Sequence, residues 1–369
     1  MRLMVKFVLT CLLFAVPVLA QPLDDHARLL QISRAVILEE NRLTTTDERR
    51  APTLRPLHAA YADVVWERLP EIETERAERT LRGVRYAGST TEFFDEQVEI
   101  DGNVATVRFT EATRIALRVA GATDAPEATE YEREHTFVFD RSSGDWALTE
   151  HRRASEFPFA DAPVNNDGAD AEQAEEPSSI LERGRVQTQA AAMTKLNRTA
   201  TVNYALKYWG SGPTDNRGYN TAYRTFTNDC TNFISQSVAA GGWTAVTGWY
   251  QSDDAWWYIS SPMLFAPGQS YTWAGAQNWS KFISRRGRGY TVSSIGELAL
   301  GDILQIDFQN DGHMDHSMVV TSKDSRGKIY LTYHTSNYKN REFGEIDSSV
   351  KKSYPKVKYW RWKLNDKFY

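Results

Sequence analysis

The chain holds two cysteines, Cys11 and Cys230. A thiol acts as a nucleophile or metal ligand through its thiolate, so it needs a nearby group to take its proton. Cys230 opens a run in which Phe233, Ile234 and Val238 recur at helical spacing before the paired Gly241 and Gly242. That pattern predicts a helix with Cys230 in its first turn and Asn228 or Asp229 as cap or site support. The N–H groups and dipole of a helix start favour a thiolate, and the same N–H groups can hold an oxyanion. His316 opens an apolar strand-like run ending at Thr321, and the polar turn Asp324–Gly327 leads into a second run from Ile329 to His334. Read as a hairpin, the register sets His316 opposite His334 to Ser336. Cys230, His316 and His334 then form a nucleophile, a base and a group that orients the base, with Asn337 as the alternative third member. Inert burial is the competing reading of a lone thiol.

Around these residues the chain divides by composition. Arg2 and Lys6, the apolar run Phe7–Ala15 and the small-residue site Val18-Leu19-Ala20 read as a signal peptide over 1–20. The protein is therefore expected to be secreted and associated with the cell wall, with no later segment apolar enough to span a bilayer. Cleavage removes Cys11 and leaves Cys230 as a single thiol in an oxidising compartment. Residues 21–160 show two helical stretches, within 27–43 and 54–80, then strands around Asp101-Gly102-Asn103 and around Ser142–Asp145. This helix-then-strands order resembles a nuclear-transport-factor-type cone, and His135 and His151 are read as surface or strand residues. An acidic stretch without aromatics, 161–185, reads as a flexible linker. Residues 186–369 form the chemistry-bearing part. The net charge of -5 hides an asymmetry, because the chain from Lys195 onward has 21 Lys and Arg against 14 Asp and Glu.

Other signals point away from metals and nucleic acids. Asp307–Gly312 imitates the start of a calcium loop, but its twelfth position is Met318 where a bidentate acid is required. His313 and His316 near Asp311 and Asp315 have zinc-ligand character, but His316 has the better-defined role beside Cys230. No metal or cofactor is expected. No nucleic-acid-binding module is recognisable. Trp243, Trp249, Trp256 and Trp257 follow the Cys230 helix, and indole faces there would suit a substrate groove.

The octapeptide Asp229-Cys230-Thr231-Asn232-Phe233-Ile234-Ser235-Gln236 resembles the D-C-T-N-F-x-S-Q signature of a bacterial amidase domain family. Leu196–Ala205, Gly301–Leu304, Asp315-His316-Ser317 and Tyr333-His334-Thr335 extend the likeness over about 194–361. The order is also similar to the NlpC-type and CHAP cell-wall peptidases of the papain-like superfamily. The resemblance implies an α+β fold: a papain-like domain with its cysteine helix packed on an antiparallel sheet, after a separate α+β module. It also implies a cysteine amidohydrolase acting on peptide or peptidoglycan amides through an acyl-enzyme. The alternatives are an acyl transferase and a non-catalytic wall- or glycan-binding module on a degenerate peptidase fold.

Overall fold

A computed structural model describes residues 24–45, 62–157, 194–212, 218–260 and 268–368. The expected signal peptide, the linker and the start of the second helical stretch lie outside them. Helix α1 (Asp25–Thr45) forms where Leu29, Val36 and Ile37 recur on one face, and that face is buried. It packs beside α2 (Ala62–Leu81) over four antiparallel strands: β1 (Val84–Asp101), β2 (Val104–Val119), β3 (Ala128–Asp140) and β4 (Ala147–Arg153). The β1–β2 hairpin closes on Asp101↔Val104 through Gly102, whose φ of 57° suits the two-residue turn read from the sequence. Leu29, Val36, Ile37, Val107, Phe109, Phe137 and Phe139 make this half's core.

The second half begins with β5 (Thr194–Lys195), α3 (Arg198–Lys207) and α4 (Cys230–Ala240). After an aromatic-rich stretch come α5 (Tyr271–Ala274), α6 (Ala276–Arg285), β6 (Gly289–Thr291), β7 (Ile303–Asp307), β8 (His316–Lys323), β9 (Ile329–Tyr333) and β10 (Tyr338–Glu342). Helix α7 (Phe343–Ser353), β11 (Lys358–Leu364) and β12 (Lys367–Phe368) follow. Strands β7 and β9 are buried on both faces, which explains why apolar residues such as Ile303-Leu304 and Ile329-Tyr330-Leu331 follow one another without alternation. Ile303 and Val319 pack with Phe233, Ile234 and Val238 of α4 on one face. Leu304, Ile306, Met318, Val320 and Tyr333 pack with Ile346 and Val350 of α7 on the other.

The architecture is α+β, with seven α-helices among the described residues and a ten-stranded antiparallel sheet. The order along the sheet is β1-β2-β3-β10-β9-β8-β7-β11-β6, with β4 on β3. Strands of the first half and the second therefore belong to one continuous sheet. Strand β4 covers only His135–Asp140 of the outer edge of β3, and β10 takes the open part, pairing Tyr338 with Tyr131 and Lys339 with Glu130. Side chains cross the same seam: Arg82 meets Glu342 at 3.0 Å, and the Asp124 carboxylate accepts from Ser325. Among the described residues, no helix is long and apolar enough to cross a membrane.

Candidate active site

Cys230 is the first residue of α4 and is 2% exposed. The helix follows from its sequence: its apolar face is buried, and Gly241 ends it where a Cβ would collide with Thr201. Each residue of the octapeptide has a packing or bonding task. Thr231 Oγ1 lies 2.9 Å from Ser317 Oγ on β8, and Asn232 accepts from Trp273 Nε1 at 2.7 Å while its amide donates to Asp229 and the Arg224 carbonyl. Ser235 accepts from Trp256 Nε1, and Gln236 accepts from the Tyr204 hydroxyl.

Asp229 precedes the helix but does not cap it through its side chain. Its Oδ1 accepts from Phe226 N–H and the Asn232 amide, and its Oδ2 meets His334 Nδ1 at 2.6 Å. The His334 Nε2 bonds the Tyr208 carbonyl at 2.7 Å, and the ring stacks between Tyr219 and Phe233, each at 4.0 Å. Both nitrogens of His334 are thus engaged, and none is left to orient His316. The physical reason is alternation along β8 and β9: Ser317 and His334 face α4, while His316 turns to the opposite face with Tyr333. His334 instead fixes Asp229 and with it the start of α4. Asn337 is also occupied, accepting from the Tyr219 hydroxyl and donating to Glu132.

His316 begins β8 as expected and is 3% exposed. Continuing the pairing of Val319 with Thr332 and Val320 with Leu331 sets it level with Thr335, inside the expected window. Its ring meets Tyr333 and Phe157 edge-on at 5.2 and 5.7 Å, and its buried Nε2 has no hydrogen-bond partner. Burial lowers its pKa to about 3, so the imidazole is neutral. Burial also pushes the Cys230 thiol up to about 11, against hydrogen bonds from Thr231 and the Ser317 backbone that lower it. Burial therefore opposes the thiolate that the helix start favours. The Sγ lies 3.4 Å from Asn228 Oδ1, to which it donates. Among the described residues, no hydrogen bond joins Cys230 to His316.

The tryptophans do not form the expected groove. Trp243 and Trp256 belong to the core beneath α4, and Trp257 is buried with its Nε1 on the Gly248 carbonyl, because their indoles seal the aromatic segment onto the helix. Trp249 alone of the four is open, at 41% exposure, beside Tyr250. Asp307 accepts from the N–H groups of Asp311 and Gly312 and so closes its own loop. Among the described residues, no three His, Cys, Asp or Glu side chains converge to hold a metal ion.

Sequence reasoning gave Ser317 no role beyond its place in the motif, and it missed Glu132. Ser317 was legible as the neighbour of His316. Glu132 was not: from β3 it accepts the Ser211 and Gly212 N–H groups and the Asn337 amide, anchoring the segment after α3 that carries Tyr208 past His334.

Residues 195–361 match the model of a family described as "Putative amidase domain". The "Uncharacterized protein YhbB" of Bacillus subtilis (strain 168) is 29% identical over 181 residues, covering 47% of this chain and 54% of that protein. The "Uncharacterized protein YjcM" of the same organism is 31% identical over 151 residues, 38% of this chain and 31% of that protein. The chain spans about half the length of the first relative and about a third of the second. The family match suggests amidase-like, hydrolytic activity for the second half.

Proposed function

We propose that the second half is a cysteine amidohydrolase of papain-like type, with Cys230 as nucleophile and His316 as base. The observation that carries the reading is a buried thiol at a helix start and, on the strand that touches that helix, a neutral imidazole whose buried Nε2 is unpartnered; the ring lies on the other face of β8 and has to swing towards α4 to reach Sγ. The two are linked through Ser317, which follows His316 and touches the first turn of α4. The match to an amidase family over the same residues supports the reaction class. The placement of a helix-borne cysteine against an antiparallel sheet supports the papain-like comparison.

In this reading the resting pair is thiol and neutral imidazole. Proton transfer to His316 accompanies attack of Sγ on the amide carbonyl rather than preceding it. The N–H groups of the first turn of α4 stabilise the oxyanion. The proton then passes to the leaving amine, and water releases the acid from the thioester. The substrate class is a peptide amide, with cell-wall peptide favoured by the expected export.

The test is hydrolysis of purified peptidoglycan peptides, with trapping of the acyl-enzyme by mass spectrometry. Cys230→Ala and His316→Ala are each expected to lower kcat by about a thousandfold or more, given how triads respond to loss of a member. A wild-type protein that binds wall fragments without cleaving them, and binds equally as Cys230→Ala, would establish the binding-module alternative. Capture of the acyl group by a labelled amine in preference to water would make it a transferase.

A further inference from the structure

A cavity of about 360 Å³ opens where the two halves meet. Its size falls within the range of small-molecule sites, roughly 300–1,000 Å³. The floor is the inner face of the first half, with Glu111 on β2 and Tyr131, Arg133 and His135 on β3. Alternation turns these inward, while Glu132 between them points out to Ser211 and Gly212. Tyr338 and Arg341 on β10 and Glu345 on α7 close the opposite wall.

Most charges in this cavity are already matched. Arg153 holds Glu40, Arg341 holds Glu156, and Lys352 bridges Glu71 and Glu75. Glu111 receives Asn41, Thr113, Tyr131 and His135. Arg133 differs. Its guanidinium donates to the Tyr338 hydroxyl at 2.8 Å and lies 5.3 Å from the Tyr131 ring centre, neither of them an anion, and the Glu111 carboxylate whose charge also acts on it is already engaged by four other side chains. A guanidinium stays charged at any working pH, and a charge in a closed space is costly without a counter-ion. Its planar fork matches a carboxylate through two parallel hydrogen bonds.

We infer that this cavity binds a small carboxylate-bearing molecule, its carboxylate held by Arg133 and its body lying against the rings of Tyr131 and Tyr338. The site is built jointly by the two halves and stands apart from the thiol of Cys230.

Titration calorimetry on the full chain tests this with two acids, N-acetyl-L-alanine and benzoate, against their carboxamides. At least one acid binds saturably with a Kd below about 10 mM, and its amide binds at least about tenfold more weakly. Arg133→Gln removes that preference, and Arg133→Lys keeps only part of it. Equal binding of acid and amide overturns the assignment, as does acid binding unaffected in Arg133→Gln or no saturable binding of either acid. An acid whose binding is lost in Cys230→Ala sits at the thiol, which also overturns it. Thermal melts report whether the Arg133 variants fold, and if they do not, the acid–amide comparison on the unaltered chain decides.

Discussion

At Cys230 two electrostatic effects oppose each other. The first turn of α4 offers dipole and N–H groups that favour a thiolate, while nearly complete burial favours the thiol, and burial prevails. Iodoacetamide labelling of Cys230, followed by mass spectrometry, should therefore accelerate by about tenfold per pH unit above neutrality. A rate plateau already reached below pH 7 would show a preformed thiolate and refute the neutral pair. His316 and His151 carry the same logic into stability. Burial lowers their folded pKa values to about 3 and about 2, below the ordinary value of 6.5. Folding thus favours the neutral rings, a contribution present above about pH 6.5 and lost as pH falls towards these values. Melting temperature should drop steadily from pH 7 to pH 4, and a flat profile over that window would contradict the buried neutral rings. At this scale the octapeptide was legible as a unit, but the partner of Asp229 was not. Whether Asp229 caps α4 or binds His334 depends on which face the end of β9 presents, and that is set by register across two strands.

Helices and strands around the site were readable because their apolar spacing is regular: α4, β7, β8 and β9 lie where Phe233–Val238 and the apolar runs imply. The aromatic segment after α4 was not, since an indole serves a groove or a core equally well and its spacing does not separate them. Tertiary contact decides: Trp256 is buried against Trp243 and Trp273 with its Nε1 on Ser235, whereas Trp249 is open. Trp256→Ala should cost about 3–5 kcal/mol in chemical denaturation, and Trp249→Ala no more than about 0.5 kcal/mol. Similar losses for the two would mean that the segment does not pack on α4 as described.

Across the whole molecule, composition gave no sign that the two halves share a sheet. Tyr131 and Tyr338 are far apart in sequence, and no local pattern announces that an open edge on β3 will accept β10. Glu132 makes the dependence chemical, because a first-half carboxylate holds the Ser211–Gly212 backbone and Asn337 of the second. A fragment comprising 186–369 alone leaves those N–H groups and the β10 edge without partners. Its amide-hydrolysing activity and cooperative melting should fall well below those of the full chain, and a fragment matching the full chain in both would show that the seam is dispensable. The position of β11 carries a further consequence, in time rather than in space. It is the last but one strand in sequence, yet it lies inside the sheet between β7 and β6. During synthesis the ribosome delivers β6 to β9 before the strand that must separate β7 from β6. The sheet around His316 therefore closes late, through contacts of long sequence separation, a topology associated with slow folding. An emerging chain consequently holds β7 and β6 without their shared neighbour until β11 has been made.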